Sequence, residues 1–347
     1  MSGIILALGS ALLFGLSMPV TKLLLTTTDP WIAAGLLYCG AGIGLGAIRL
    51  SQHATRSDIS EAPLRAGDLP RIAAVVLFGG VLAPVLLMLG LSRTTAAAAS
   101  LLLNLEALAT MGIAWIVFRE HVDHKLLAGA GCILAGAGLL SWQGQAVAID
   151  TGALLVGAAC LAWGIDNNLT RSLSSADPIQ IAMIKGLAAG SGNLGLALAT
   201  GAQLPGAADT LALGAVGFLG YGVSLALFVA ALRHLGAART GAYFSLAPFV
   251  GALVGIIALQ EPVTWQLTLA GGLMGIGLYL HLAERHSHQH VHDVLNHEHS
   301  HVHDEHHQHR HEDGIAASVR HSHRHVHRSL VHQHPHFPDL HHRHPHP

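Results

Sequence analysis

The sequence predicts an all-α integral membrane protein of ten transmembrane helices, arranged as two inverted five-helix repeats and followed by a disordered His-rich tail. Three observations predict it. Of 347 residues, 51% are hydrophobic and only 11% charged, where a soluble domain carries about 25% charged residues. Residues 1–282 divide into apolar runs of roughly 20 residues, the length that crosses a bilayer's hydrocarbon core as a helix. These runs also repeat themselves at an offset of 141 to 149 residues.

The predicted spans are 3–25, 31–50, 71–91, 95–118, 125–142, 152–171, 178–200, 211–233, 238–259 and 266–282. As helices they satisfy their own backbone hydrogen bonds, which lipid requires. Met1, Ser2 and Gly3 lead into the first run without a preceding Lys or Arg. The run therefore reads as a retained helix and not as a cleaved signal peptide. Short linkers, such as Thr26 to Pro30 and Ser92 to Thr94, force antiparallel neighbours. Glycine is abundant at 40 residues, and Gly129, Gly131, Gly136 and Gly138 fall at helical spacing. Such small residues let membrane helices approach closely. Cys39, Cys132 and Cys160 lie inside apolar runs, form no CxxC, and read as packing thiols.

Orientation follows from the basic residues. With the N-terminus inside, the inner loops hold Arg49, Arg56, Arg65, Arg71, Arg119, Lys125, Arg171, Arg233 and Arg239. The outer side holds Arg93, with Lys22 close to a span end. The positive-inside rule then places both termini in the cytoplasm, in the cell (inner) membrane.

The repeat is carried by residues in order. Phe14-Gly15 and Thr21-Lys22 match Trp163-Gly164 and Thr170-Arg171, and Asp29-Pro30 matches Asp177-Pro178. Glu120-His121-Val122 aligns with Glu261-Pro262-Val263, and Gly131 and Gly136 with Gly272 and Gly277. The expected units are 1–145, 150–282 and the tail 283–347. Because each half has five spans, the second starts from the opposite side. Inverted repeats are the architecture of many alternating-access transporters, with the substrate site near the midplane between the halves.

The run Ala96 to Gly138, AAAASLLLNLEALATMGIAWIVFREHVDHKLLAGAGCILAGAG, resembles the fourth and fifth helices of EamA-type transporters of the drug/metabolite transporter superfamily. Ser245-Leu246-Ala247-Pro248, Leu259-Gln260-Glu261 and Gly271-Gly272 repeat the pattern in the second half. Ala107 replaces the usual Pro and Ala247 the usual acid, while Arg119 and Gln260 replace the small residue before each Glu. The resemblance spans residues 3 to about 282 and implies a ten-helix carrier of small metabolites.

Few membrane residues are able to carry chemistry. Glu106 lies near the middle of its span, where a carboxylate costs about 2.5–3.5 kcal/mol on insertion scales. It serves proton coupling, or it is a protonated group bonded to a neighbouring helix; Asn104 is its expected cavity partner. Asp166, Asn167 and Asn168 form a polar cluster near the inner end of the sixth span. Lys185 enters the seventh span from the same side, and both charges lie roughly 8–11 Å deep at 1.5 Å per residue. An Asp166–Lys185 pair is therefore expected, as structural glue or as a substrate handle. Lys22 and Arg171 sit near span ends and can snorkel, with Lys22 also a substrate candidate. Tyr243 and Ser245 are further candidates, and Tyr221 a weaker one. Glu120 and Glu261 read as turn residues. No phosphate-binding loop or nucleophile motif is present, which disfavours ATP-driven transport and enzymatic activity.

Between His286 and His346 lie 23 of the 28 histidines, mostly as His-x-His. This composition buries no core. It suits exchangeable binding of Ni, Zn, Co or Cu by neutral imidazole. The expected ligands are His286, His288, His290, His292, His297, His299, His301, His303, His306, His307, His309, His311, His321, His323, His325 and His327. A pH-dependent polycation is the other reading of the same residues.

The expectation is thus a secondary-active exporter of small organic metabolites or amino acids, with no required cofactor. A divalent-metal exporter or metal-buffering membrane protein is the alternative. Expected partners are the bilayer, the solute and metal ions at the tail. A net charge of −2 suggests no nucleic acid, and a homodimer is left open.

Overall fold

In a computed structural model of the chain, the described residues are 2–54, 64, 66–118, 124–142, 150–171, 173, 177–228, 230–231, 240, 243–282, 287–292, 295–301, 321–327 and 330–335. Through residue 282 their elements are helices, with a short 3₁₀ turn at Ala66–Asp68. The helices are α1 (Ser2–Leu24), α2 (Pro30–Ala54), α3 (Leu69–Leu91), α4 (Ala96–Val117) and α5 (His124–Ser141). They continue as α6 (Thr151–Arg171), α7 (Pro178–Ala199), α8 (Ala207–Phe228), α9 (Ala247–Ala258) and α10 (Trp265–Leu282).

Seven of these, α1 to α5, α7 and α8, are long and apolar enough to cross a membrane, while α9 and α10 are shorter apolar helices. This differs from the expected uniform spans. The predicted span 238–259 is interrupted by a turn at Ser245–Leu246, so α9 begins only at Ala247. Helix α6 has 21 residues but carries Asp166, Asn167 and Asn168, which dilute its hydropathy. Large apolar side chains such as Ile5, Ile116, Leu211 and Ile276 point out of the bundle, as suits a hydrocarbon surround.

Helices α2 and α7 start with one device. Asp29 Oδ1 accepts from the Trp31 and Ile32 amides at 2.8 and 3.3 Å. Asp177 Oδ1 accepts from Ile179 and Gln180 at 2.9 and 3.3 Å. Each aspartate caps a helix whose first residue is proline, Pro30 or Pro178, where a missing N–H costs nothing. Asp177 also pairs with Arg49 of α2 at 2.5 Å, tying the far end of α2 to the start of α7. These two helices pack closely through small residues: a Cβ on Gly186 would meet the Gly42 backbone at 2.7 Å. Elsewhere α5 lies on α10, α4 on α6 and α9, α3 on α6 and α7, and α1 on α8 and α9.

Among the described residues, four irregularities interrupt otherwise regular helices. Val76–Leu82 in α3 and Gly217–Val223 in α8 are π-helical, and the two segments are 141 residues apart. Helix α4 breaks at Leu103–Asn104, and the chain turns at Ser245–Leu246 before α9.

In the tail, where the sequence predicts no regular structure, the described residues form four strands. β1 (Ser287–His292) pairs antiparallel with β4 (Leu330–Pro335), and β2 (Leu295–His301) with β3 (His321–His327). The His-x-His alternation has a strand's period of two, so paired extended backbone fits it. Isolated two-stranded ribbons are marginal in water.

Candidate functional site: a polar cluster between broken helices

The site is built where α3, α4, α6 and α7 meet. At the α4 break, Leu103 N and Asn104 N bond back to Ser100 O and Leu101 O at 3.2 and 3.1 Å. The helix resumes with Glu106 in its first turn, so the partly positive end of a half-helix falls beside a carboxylate deep in the bundle. Asn167 of α6 donates from Nδ2 to Glu106 Oε1 at 2.9 Å and to Thr110 Oγ1 at 3.1 Å. Asn168 donates to Thr110 O and Gly164 O at 3.1 and 2.8 Å. Helices α4 and α6 are therefore joined by an exposed amide, Asn167, that bonds a carboxylate and a hydroxyl, and by a buried one, Asn168, that bonds a backbone carbonyl.

One residue before Asn167 on α6, buried Asp166 pairs with Lys185 of α7. Thr170 Oγ1 donates to the other Asp166 oxygen at 3.2 Å. The pair rests on the π segment of α3, where a Cβ at Gly79 would overlap the Asp166 carboxyl and crowd the Lys185 ammonium. Only glycine admits this approach. A π turn also spares backbone carbonyls from the regular ladder, and here side chains take them. Gly79 O accepts from Tyr38 Oη at 2.7 Å and from Trp163 Nε1 at 3.2 Å. Gly80 O accepts from Asn193 Nδ2 at 3.1 Å.

From Tyr38 an aromatic chain runs into the second half. Ring centroids lie 5.7 Å apart for Tyr38–Tyr221, 5.7 Å for Phe14–Tyr221, 5.5 Å for Phe14–Phe244 and 5.0 Å for Phe228–Phe244. Such edge and tilted contacts are favourable for aromatic rings. The cluster thus has a charged, hydrogen-bonded side on α4, α6 and α7 and an aromatic side on α1, α2 and α8.

The structure brings together Glu106, Asp166, Asn167 and Lys185. It does not bring Asn104 to Glu106: the buried Asn104 amide donates to Leu101 O at 2.8 Å, with Met274 Sδ of α10 at 4.0 Å. Asn104 sits in the turn that breaks α4, and there its amide is used to bond back to Leu101 O and not to reach Glu106. Lys22 is no part of the cluster either. Its ammonium donates to Leu91 O and Thr94 O at 2.5 and 2.6 Å, capping the end of α3 in place of snorkelling. Tyr243 and Ser245 lie at the turn into α9, where Phe244 between them is the residue that packs on Phe14. Tyr38, Gly79, Thr110 and Trp163 were not singled out from sequence. The indole N–H of Trp163 inside an apolar run was the available signal, because a buried Trp needs an acceptor.

Glu120, Arg56, Arg65, Arg119, Arg233 and Arg239 lie outside the described residues, as do His286, His303, His306, His307, His309 and His311. The other candidate metal ligands fall on β1, β2 and β3. Among the described residues, no group of three or more His, Cys, Asp or Glu could hold a metal ion.

A charged and hydrogen-bonded cluster held inside a bundle of membrane-spanning helices, beside a broken helix, defines a multi-pass membrane protein of the transporter class. The chain belongs to the EamA-like transporter family, which matches residues 1–142 and 150–283. It is 33% identical over 293 residues to a Methanothermobacter thermautotrophicus protein named "Uncharacterized transporter", covering 80% of this chain and 85% of the relative. It is 29% identical over 293 residues to a Streptantibioticus cattleyicolor protein named "Probable terminal-alkyne amino-acid exporter", covering 75% and 92%. A crystal structure with 18% identity superposes with a TM-score of 0.59 over 81% of this chain and 96% of that one, a likeness of fold. The family and both relatives are named as transporters or exporters, which points to a transporter in place of an enzyme.

Proposed function

We propose that the chain is a secondary-active carrier that exports small organic metabolites or amino acids by alternating access between two inverted five-helix halves, 1–145 and 150–282. The carrying observation is the cluster itself, in which Glu106 of the first half meets Asn167 of the second at 2.9 Å. Inverted-repeat carriers place their solute between halves, at discontinuous helices near the midplane. The two π segments 141 residues apart and the corresponding turns in α4 and before α9 support a duplicated architecture of ten spans. The two separate stretches of family match support it as well. The name of the amino-acid exporter relative supports the solute class.

In this reading the Asp166–Lys185 pair offers both charges to a zwitterion, and the aromatic side accepts an apolar substituent. Glu106 is the group that couples transport to protons. Both termini are cytoplasmic, in the cell membrane, and the His-rich tail gathers divalent ions without forming the pathway. A metal-exporting function is the weaker reading, because the described membrane residues supply no cluster of metal ligands.

The test is a growth screen of deletion and overexpression strains on amino acids, amphipathic toxins and divalent metals. Altered tolerance to an organic solute is the expected result. Altered tolerance confined to metals would favour the alternative. Reporter fusions after Ser60, Val122 and His290 are expected inside, and after Ala148 and Gly206 outside. A tail reached only from outside would overturn the topology.

A further inference from the structure

Glu261 holds the first turn of α4 from the opposite half of the chain. Its two carboxylate oxygens accept from the Ala96 and Ala97 amides at 2.6 and 2.8 Å. Thr95 Oγ1 takes the third orphan donor, Ala98 N, at 3.1 Å. The first N–H groups of a helix have no partner of their own. Two of the three bonded here are thus satisfied by a charged group that enters from the connection between α9 and α10. Lys22, from α1, holds the other side of the same α3–α4 turn through Leu91 O and Thr94 O, and interacts electrostatically with Glu261. Two elements, one from each half, therefore converge on one four-residue turn.

The backbone next to Glu261 is strained. Gln260 has φ of 53°, in the left-handed region that favours glycine. Its side chain closes the end of α9 by donating to Ile257 O at 2.6 Å, and the left-handed turn sends the chain toward α4 so that Glu261 reaches the two amides. Strain of this kind persists where surrounding contacts over-determine it, and it clusters at clamps and switches. The close approach of α9 completes the contact: a Cβ on Gly255 would meet both the Ala97 amide and Glu261 Oε2 at 3.0 Å.

Glu106 lies ten residues along α4 from Ala96, about 15 Å at helical rise. The contact therefore closes the bundle at one end, with the polar cluster below it. In the proposed topology that end is the outer one.

We propose that Glu261 is the latch of the outer gate. Its carboxylate holds the α4 N-terminus in the state described here. Opening to the outside breaks both bonds as the left-handed turn at Gln260 relaxes, and the freed carboxylate is met by the Lys22 ammonium. This rests on the alternating-access reading above, yet it is read by conformation alone and needs no solute.

The experiment places spin-label pairs on the full-length chain in lipid nanodiscs, with Cys39, Cys132 and Cys160 replaced by Ser. One pair, at exposed Ser92 and Val263, straddles the latch. The other, at exposed Leu50 and His124, reports the opposite end. In the parent the outer pair shows a dominant short distance with a minor longer one. Glu261→Ala is expected to raise a longer-distance population about tenfold, with the inner pair unchanged or shorter. Glu261→Gln, which keeps one acceptor oxygen, is expected to fall between, and it serves if Glu261→Ala does not fold. Gln260→Gly relieves the strain of the closed state and is expected to lower the open population. Unchanged outer distances in Glu261→Ala or Glu261→Gln would overturn the latch. Lengthening at both ends would also overturn it, because it reports a loosened bundle and not a gate. Absence of transport for every solute tested, with the distance shift present, would fail the carrier reading while leaving the latch standing.

Discussion

Asn167 reaches across from α6 to give one amide hydrogen-bond donor to both the Glu106 carboxylate, at 2.9 Å, and the Thr110 hydroxyl, at 3.1 Å. Thr110 Oγ1 in turn donates to the Glu106 backbone carbonyl at 2.9 Å, so three residues on two helices form one closed polar knot. Asn167 is exposed and Glu106 and Thr110 are half-buried, so each bond adds the modest net stability of a part-solvated hydrogen bond, and substitution at the knot should alter function more than folding.

Glu106→Gln retains shape and hydrogen-bonding capacity while it removes titration. The variant should insert and unfold like the parent but lose transport and any dependence of rate on pH. Initial rates between pH 5 and 8 in proteoliposomes check this. Parent-like rates across that range would remove Glu106 from proton coupling.

Removing one member of the Asp166–Lys185 pair strands a buried charge, at a cost of about 3–5 kcal/mol. Asp166→Asn and Lys185→Met should each depress thermal stability in detergent strongly. The double substitution should restore much of it, since no unpaired charge remains. Simple additivity of the two losses would argue against a direct pair.

Gly79→Ala places a methyl group where the Asp166 carboxyl now sits. Overpacking of this kind costs about 1–3 kcal/mol. The variant should melt earlier and lose transport together. Gly131→Ala, where an added Cβ meets nothing within 4 Å, should change neither, and serves as the control.

The tail prediction concerns metal and not solute. Calorimetric titration of the full chain should show several equivalents of Ni²⁺ or Zn²⁺ bound at pH 7.5, lost in a chain ending at Glu284. Binding requires neutral imidazole, so it should weaken steeply as pH falls from 7 to 5. The shortened chain should still move organic solute.

Much of the helical scaffold was legible because a bilayer demands long apolar runs, and Asp-Pro at 29–30 and 177–178 marked two helix starts by capping chemistry. The Asp166–Lys185 pair was legible because depth along antiparallel helices can be counted. The partner of Glu106 was not: Asn104 is near in sequence, but the turn that breaks α4 directs its amide to Leu101 O, while Asn167 is near only once α6 lies on α4. The π segments stayed hidden because Gly79 and Gly80 look like any small-residue packing site until Tyr38, Trp163 and Asn193 are seen taking their carbonyls. Glu261 read as a turn residue because its acceptor role depends on amides 165 and 164 residues away. The tail's alternation was legible as composition, and its strand pairing was not, because polar ribbons lack the apolar face that sets register.

The most direct test of the carrier account is solute counterflow in proteoliposomes. Vesicles are preloaded with an unlabelled amino acid and presented with a trace of the same labelled amino acid, with no ion gradient. An alternating-access carrier exchanges one for the other, so transient labelled uptake above that of empty vesicles is expected for at least one member of an amino-acid panel. It should be absent in Gly79→Ala. Labelled uptake that never exceeds the empty-vesicle control for any organic solute in the panel would contradict the account.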